Sequence, residues 1–255
     1  MRKSFLYLFV FLVIQYFASM LLLALVKVVG NEAWQQSPYM LIASMLLFAV
    51  VTVVVFLRLK WARPTRHYLQ SKPWITVCWA VMAAFGTVIP SMAFQEALPE
   101  LPNWVEAEMG RIMDTPGGYF VVCLLVPLVE ELVFRGAILR ELLVWKPLRP
   151  WLMIAVSALF FSAAHMNPAQ MPHAFLIGLL LGWMYWRTGS IVPAVAFHWT
   201  NNTIAYILYK LYPDPDLHLI DVLGSQRTVA AAVLFSLFIL VPAVYQLHLW
   251  MRQPK

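Results

Sequence analysis

Long hydrophobic blocks run through the chain, and short polar stretches separate them. A block of about 20 apolar residues forms an α-helix long enough to cross a hydrocarbon core of about 30 Å. Within the blocks the apolar residues are continuous and do not alternate with polar ones, unlike the strands of a membrane barrel. The pattern therefore predicts an all-α fold, a polytopic membrane bundle of about eight helices.

The block boundaries predict one membrane domain over residues 1–255. The predicted spans are residues 5–28, 39–59, 74–97, 117–139, 151–169, 172–187, 190–211 and 228–250. Such boundaries are good to about two to four residues. The first block exceeds the apolar region of about 7–15 residues in a secretory signal, so it is expected to remain in the protein as a span.

Composition and charge agree with a membrane location. Apolar residues make up 62% of the chain and charged residues only 12%, while the net charge is +6. Basic loops alternate with neutral or acidic ones, which predicts cytoplasmic termini. The positive charge is explained by topology and contact with anionic lipid, so no nucleic-acid partner is expected. Short loops and compactness favour a prokaryotic cell membrane.

The third loop has a different character from the others. It reads LPELPNWVEAEMGRIMDTP and mixes acids with Trp104, Ile112 and Met113. This mixture predicts a short helix lying in the membrane interface at the outer face, beside the start of span four.

Ionisable side chains inside a membrane span cost free energy and point to a function. In span four, Glu131 and Arg135 are four residues apart and so share a helix face, where they can pair. Glu130 is turned from Glu131 by about 100° and remains free for another task.

Spans five and seven add polar groups at the same helical spacing. Phe161 and His165 are four residues apart, as are His198 and Asn202. At about 1.5 Å per residue, Glu130 and His165 lie roughly 20 Å from the starts of their spans. The same rise puts His198 and Asn202 roughly 12 and 18 Å inside span seven. All four groups could therefore meet near the middle of a bilayer.

Activation of a water molecule is the chemistry that fits this group. Glu130 could act as a general base. Alternatively, Glu130, His165 and His198 could bind Zn²⁺ and leave one coordination position open. Asn202 can donate an N–H to a developing oxyanion, as can a suitably protonated His198. Both routes suit hydrolysis of an amide, and the residues alone do not choose between them.

Each of these residues also has a purely structural interpretation. A single membrane histidine often serves packing, Glu131 and Arg135 could form a structural ion pair, and Asn202 could join two helices. Gly178 and Gly182 are interpreted as a small-residue packing face. Clustering in three spans at matching depths nevertheless favours a site. A transporter or proton relay is the alternative function, although no internal repeat supports it.

The motifs resemble a known family. EELVFRG has the form EExxxR, Phe161 and His165 complete FxxxH, and HWTNN carries HxxxN. In this order and inside spans, they resemble the CPBP family of intramembrane proteases, also called the CAAX protease or ABI family, whose eukaryotic members include the CAAX prenyl endopeptidase. The resemblance covers residues 117–211, which would form the protease core. HExxH and GxGD, the motifs of other intramembrane proteases, are absent.

The resemblance implies a role for each matched residue. Glu130 and His165 would hold and activate the catalytic water, and His198 and Asn202 would polarise the scissile carbonyl. Glu131 and Arg135 would support the site. The family has been described both as metalloproteases and as metal-independent glutamate enzymes, so zinc remains open. The expected partners are the lipid bilayer and a membrane-associated protein or peptide substrate. An inactive member acting in binding or immunity is the other alternative.

Overall fold

The computed structural model describes residues 1–30, 34, 37–63, 66–70, 72–214 and 217–251. Every regular element within these ranges is helical, which confirms the predicted all-α fold class. Several charges used in the topology prediction lie outside the described residues, namely Glu32, Asp216, Arg252 and Lys255, as does the side chain of Arg66.

The helices follow one another with short connections. Their bounds are α1 Arg2–Val29, α2 Pro38–Arg58, α3 Trp74–Glu96, α4 Glu106–Asp114, α5 over residues 120–145, α6 Pro150–Ala164, α7 Met171–Thr188, α8 Val192–Leu211 and α9 Gln226–Trp250. Two single-turn helices, Arg66–Gln70 and Leu219–Leu223, lie in connections.

Four of the described helices are long and apolar enough to cross a membrane, namely α1, α2, α3 and α9. Helix α6 is apolar but shorter. Helices α5, α7 and α8 are not among these four. A polytopic helical bundle is therefore confirmed, whereas the number of eight spans stays a prediction.

Helix α5, which carries EExxxR, has an irregular backbone. Its segments Phe120–Leu125 and Phe134–Leu139 are π-helical, and the α-helical segment Val126–Val133 lies between them. A last α-helical turn, Arg140–Trp145, extends the helix beyond residue 139, where the predicted span ends. π-Helical turns are rare and occur often at functional sites. Glu130 and Glu131 lie between two such turns.

Helix α6 is shorter than the predicted span 151–169. It ends at Ala164, and His165 is its C-cap. Met166 then adopts a left-handed backbone conformation with φ of 48°, and Asn167 precedes a proline. A residue before proline disfavours the helical region, so the chain turns here instead of continuing. His165 consequently lies at a helix end and not within a helix.

Small residues allow the closest helix contacts. A Cβ atom added to Gly178 would lie 2.9 Å from the Cβ of Ala158, and one added to Gly182 would lie 2.9 Å from Ile154 Cγ2. These contacts between α7 and α6 confirm the predicted small-residue face. Helix α3 approaches α9 in the same way, since a Cβ on Gly86 would lie 2.6 Å from the backbone nitrogen of Leu240.

Candidate active site

The pairing of Glu131 with Arg135 is confirmed, and both side chains are fully buried. Arg135 Nη1 donates to Glu131 Oε1 over 2.9 Å, and Arg135 Nη2 donates to the carbonyl of Gly178 over 3.2 Å. The guanidinium also lies 4.4 Å from the centroid of the Phe161 ring. A buried charge pair needs additional contacts of this kind. They are incomplete here, since Glu131 Oε2 and Arg135 Nε have no hydrogen-bond partner within the described chain. Arg135 nevertheless joins α5 to α6 and α7.

Glu131 has a second partner that helical spacing could not reveal. The Nδ1 atom of His198 lies 2.9 Å from Glu131 Oε1, the oxygen that also accepts from Arg135. Because a carboxylate accepts, Nδ1 carries the proton and Nε2 is the ring nitrogen left for other contacts. A carboxylate that orients a histidine in this way is common in catalytic sites.

Glu130 faces a different direction from Glu131, as helical geometry predicts. Its Oε2 atom lies 3.8 Å from Nε2 of His198. That distance exceeds a hydrogen bond, yet catalytic contacts are often loose before substrate binds. Among the described residues no lysine or arginine forms an ion pair with Glu130.

His165 and Phe161 contact each other, as their shared helix face predicts. Nδ1 of His165 lies 2.9 Å from the carbonyl oxygen of Phe161, so Nδ1 donates and the lone pair stays on Nε2. The Phe161 ring stands edge-on to both histidines, with centroid distances of 4.9 Å to His165 and 5.7 Å to His198. Phe161 thus contacts both imidazoles.

Asn202 connects α8 to the first π-helical turn of α5. Its Nδ2 atom donates to the carbonyl of Val122 over 3.1 Å. The Sγ atom of Cys123 lies 3.4 Å from the backbone oxygen of Asn202. The amide therefore has the helix-joining role considered from the sequence. Because an NH₂ group has two donor hydrogens, one N–H remains for another acceptor.

The candidate catalytic groups line one cavity of about 480 Å³. This volume lies within the range of about 300–1,000 Å³ for ligand pockets. The predicted residues that line it are Glu130, Phe161, His165, His198 and Asn202. Glu131 and Arg135 are not part of the lining and support it from behind. The cavity is bounded by α1, α2, α4, α5, α6, α7 and α8.

The sequence analysis gave no role to several polar residues of this cavity, and two of them lie close to His165 in the chain. Gln170 and His173 line it, although neither was given a role. The turn after α6 reverses the chain, so the start of α7 returns to the neighbourhood of His165. The only sequence signal was a second histidine eight residues after the first, which carries little weight without the turn.

The side chains suit a zinc ion only in part. Both His165 and His198 use Nδ1 for an oxygen partner and leave Nε2 available, the usual arrangement of a metal-ligating histidine. Within the described residues, however, no three or more His, Cys, Asp or Glu side chains are grouped closely enough to hold a metal ion. As they stand, Glu130, His165 and His198 do not fit a three-ligand centre.

The fold and the cavity define a helical membrane protein with a buried carboxylate–histidine site. The sequence profile of the Rce1-like type II CAAX prenyl endopeptidases matches residues 114–204, which contain all three motifs. The membrane-embedded CAAX protease MroQ of Staphylococcus aureus (strain USA300) is 25% identical over 184 residues, covering 66% of this chain and 73% of MroQ. No solved structure matches. Over the segment that carries the three motifs, the chain is thus similar to the CAAX, or CPBP, family of membrane-embedded proteases.

Proposed function

We propose that this chain is an intramembrane endopeptidase that cleaves a membrane-associated protein or peptide with a water molecule activated by Glu130 and His165. The supporting observation is the different surroundings of the two adjacent glutamates. Glu131 is paired with Arg135 and His198, whereas Glu130 faces the cavity and forms no ion pair with a described lysine or arginine. Nε2 of His198 lies 3.8 Å from Glu130 Oε2. A carboxylate in that position can accept a proton.

The first step is attack of water on the scissile carbonyl carbon. Water gives one proton to Glu130 and donates its other hydrogen to Nε2 of His165. The C–O bond forms as the carbonyl π electrons move onto the carbonyl oxygen. Nε2 of His165 suits this role because its Nδ1 proton is held by the Phe161 carbonyl.

The second step needs donors for the resulting oxyanion. Asn202 offers the N–H that does not bind Val122, and His198 offers Nε2–H when both ring nitrogens are protonated. The C–N bond then breaks, the leaving nitrogen takes the proton from Glu130, and the oxyanion becomes the carbonyl of the new carboxylic acid. Glu130 returns to its starting state.

A zinc centre on Glu130, His165 and His198 is the alternative proposal for the same reaction, and it requires these side chains to come closer together around the ion than they lie in this structure. Zinc would supply a Lewis acid and a bound water of lowered pKa. The metal content of purified wild type, Glu130→Ala and His165→Ala distinguishes the routes. Zinc in stoichiometric amount, lost in both variants, would support the metal route. Metal-free but active wild type would support the glutamate route.

Replacing Glu130 by glutamine tests the function itself. Cells expressing wild type, Glu130→Gln or Glu141→Gln are compared by mass spectrometry of new peptide ends in the membrane fraction. Glu141 is the matched control, because it lies on the same helix but pairs with Arg140 over 3.7 Å, outside the cavity. General-base removal costs about 10²–10⁴-fold in rate.

We expect a set of cleavage products that Glu130→Gln abolishes and Glu141→Gln leaves intact. Wild-type levels of every product in Glu130→Gln cells would contradict the proposal.

A further inference from the structure

A polar side chain from α1 reaches the cavity and has no place in the mechanism above. Gln15 lines the cavity together with Glu130 and His198. It lies 13 residues after Arg2, the first residue of α1, hence about 20 Å along the helix. A glutamine amide at this depth requires polar partners, because lipid supplies none.

Gln15 lacks a partner for its carbonyl group within the described chain. Its Oε1 atom is buried and receives no hydrogen bond from any described residue. Buried polar atoms in proteins are nearly always hydrogen-bonded. Because Oε1 is shielded as it stands, a donor in the cavity reaches it only when the side-chain amide turns, and such a turn would end its lack of a partner.

Two serines continue the polar surface around Gln15. Ser19 follows it by one helical turn on α1, and Ser44 faces the cavity from α2. Their hydroxyl groups donate to the backbone oxygens of Gln15, over 3.4 Å, and Leu41, over 2.8 Å. Each hydroxyl oxygen keeps lone pairs that can accept. A strip of hydrogen-bonding groups thus lies on the α1–α2 wall, which carries none of the candidate catalytic residues.

A substrate inside this cavity must satisfy its own backbone polar groups, because an unpaired peptide N–H or C=O costs several kcal/mol away from water. The described lining holds no lysine, arginine or aspartate, so its groups are mostly neutral. A glutamine amide carries one acceptor and two donors and is complementary to a peptide group.

We propose that Gln15 is a positioning residue that hydrogen-bonds the main chain of the substrate beside the scissile bond. This inference rests on the proposed function. It implies that the substrate segment next to the cleavage site is uncharged and has a free backbone N–H to donate to Gln15 Oε1 once the side-chain amide has turned towards the cavity. At this contact, the identity of the substrate side chain matters less than an accessible peptide group in the substrate backbone.

Gln15→Leu tests the inference, because leucine has a similar size and no hydrogen-bonding group. Gln246→Leu is the control, since Gln246 lies on α9, accepts from Trp250 over 3.2 Å and does not line the cavity. The probe is a synthetic peptide spanning the most abundant Glu130-dependent cleavage site. The measurements are KM, kcat and the melting temperature in detergent.

We expect Gln15→Leu to raise KM about tenfold, the effect of losing one to two hydrogen bonds. kcat should stay within about twofold, and the melting temperature within about 2 °C of wild type. N-methylation of the substrate peptide at one position should impair wild type similarly and have little further effect on Gln15→Leu, because the two changes remove one contact.

Other results overturn the inference. An unchanged KM in Gln15→Leu would show that Gln15 does not contact the substrate. A melting temperature of Gln15→Leu far below that of Gln246→Leu would show that the role of Gln15 is structural. If Glu130→Gln loses activity while Gln15→Leu has normal kinetics, the proposed function stands and only the inference about Gln15 is refuted. If wild type yields no Glu130-dependent products, the proposed function fails and this inference fails with it.

Discussion

At the residue scale, two adjacent carboxylates have different surroundings because the side chains of neighbouring helix positions point about 100° apart. Glu131 is buried with Arg135 and His198, while Glu130 faces the cavity. Helical spacing predicted the first pair but not the contact with His198, which lies 67 residues away in sequence. Long-range contacts of this kind depend on how α8 is placed against α5.

Arg135→Ala should destabilise the bundle, because it leaves the Glu131 carboxylate in a fully buried position without its cation. Removing one partner of a buried pair costs about 3–5 kcal/mol. Thermal unfolding in detergent should show a clear fall in melting temperature. A temperature equal to that of wild type would contradict the structural role of this pair.

The matched control for Arg135→Ala removes both charges at once. Glu131→Gln combined with Arg135→Met leaves no buried ion and keeps similar volumes, so it should be more stable than Arg135→Ala alone. The carboxylate that orients His198 is also lost in this control, so activity should not return with stability.

At the element scale, close approach of α7 to α6 completes the Arg135 contacts. The Gly178 carbonyl accepts from Arg135, and the missing side chain of Gly178 lets α7 lie directly against Ala158. The glycine spacing predicted a packing face, and that prediction is confirmed. Neither spacing nor propensity predicted the π-helical turns of α5, because those depend on the contacts around the helix.

Gly178→Ala should destabilise the protein by about 1–3 kcal/mol, the usual cost of overpacking. The new Cβ would lie 2.9 Å from Ala158 Cβ and 3.1 Å from Ala158 Cα, so α7 must move and the Arg135 hydrogen bond must lengthen. Both melting temperature and proteolytic activity should fall.

Gly136→Ala is the control for the glycine experiment. A Cβ there would meet its nearest neighbour, Ala62 Cβ, at 3.6 Å, an ordinary contact. Alanine also favours helix over glycine by about 1 kcal/mol. Gly136→Ala should therefore equal or exceed wild type in stability, and similar losses in both variants would refute the close-packing explanation.

At the scale of the whole molecule, the cavity is closed on one side by α4. The predicted helix in the third loop is present as Glu106–Asp114, and its position at a membrane interface stays a prediction. Met109 and Met113 line the cavity from α4. Tyr206 donates to the Met113 carbonyl over 3.2 Å, which fixes α4 to α8. We therefore expect access to the site to depend on the attachment of α4.

The attachment of α4 should depend on pH through Asp114. Lys210 donates to Asp114 over 2.6 Å, and Tyr209 donates to it over 3.1 Å. The hydrogen bond from Lys210 is the main cause of a lowered pKa at Asp114, followed by the one from Tyr209. Because the pKa of Asp114 is lower in the folded state than in the unfolded state, its ionised form stabilises the folded state. This contribution is complete above the ordinary Asp pKa of about 3.9. It is lost as pH falls further, through the folded-state pKa.

Asp114→Asn should lower the amide-exchange protection of α4 near neutral pH relative to wild type. The difference should disappear when the pH falls well below the ordinary Asp value, because the wild-type carboxyl group is then also neutral. It should shrink in about 1 M salt, which screens exposed charges. A difference that persists unchanged at low pH would show that the charge of Asp114 is not responsible.

The sequence by itself determined the all-α membrane fold, the family resemblance and the pairing of Glu131 with Arg135. These follow from block length, motif order and helical spacing, all of which are local. Tertiary structure decided where α6 ends, how His198 contacts Glu131, and that Gln15 and His173 line the same cavity as Glu130. These features depend on packing between helices distant in sequence, for which one chain carries no periodic signal.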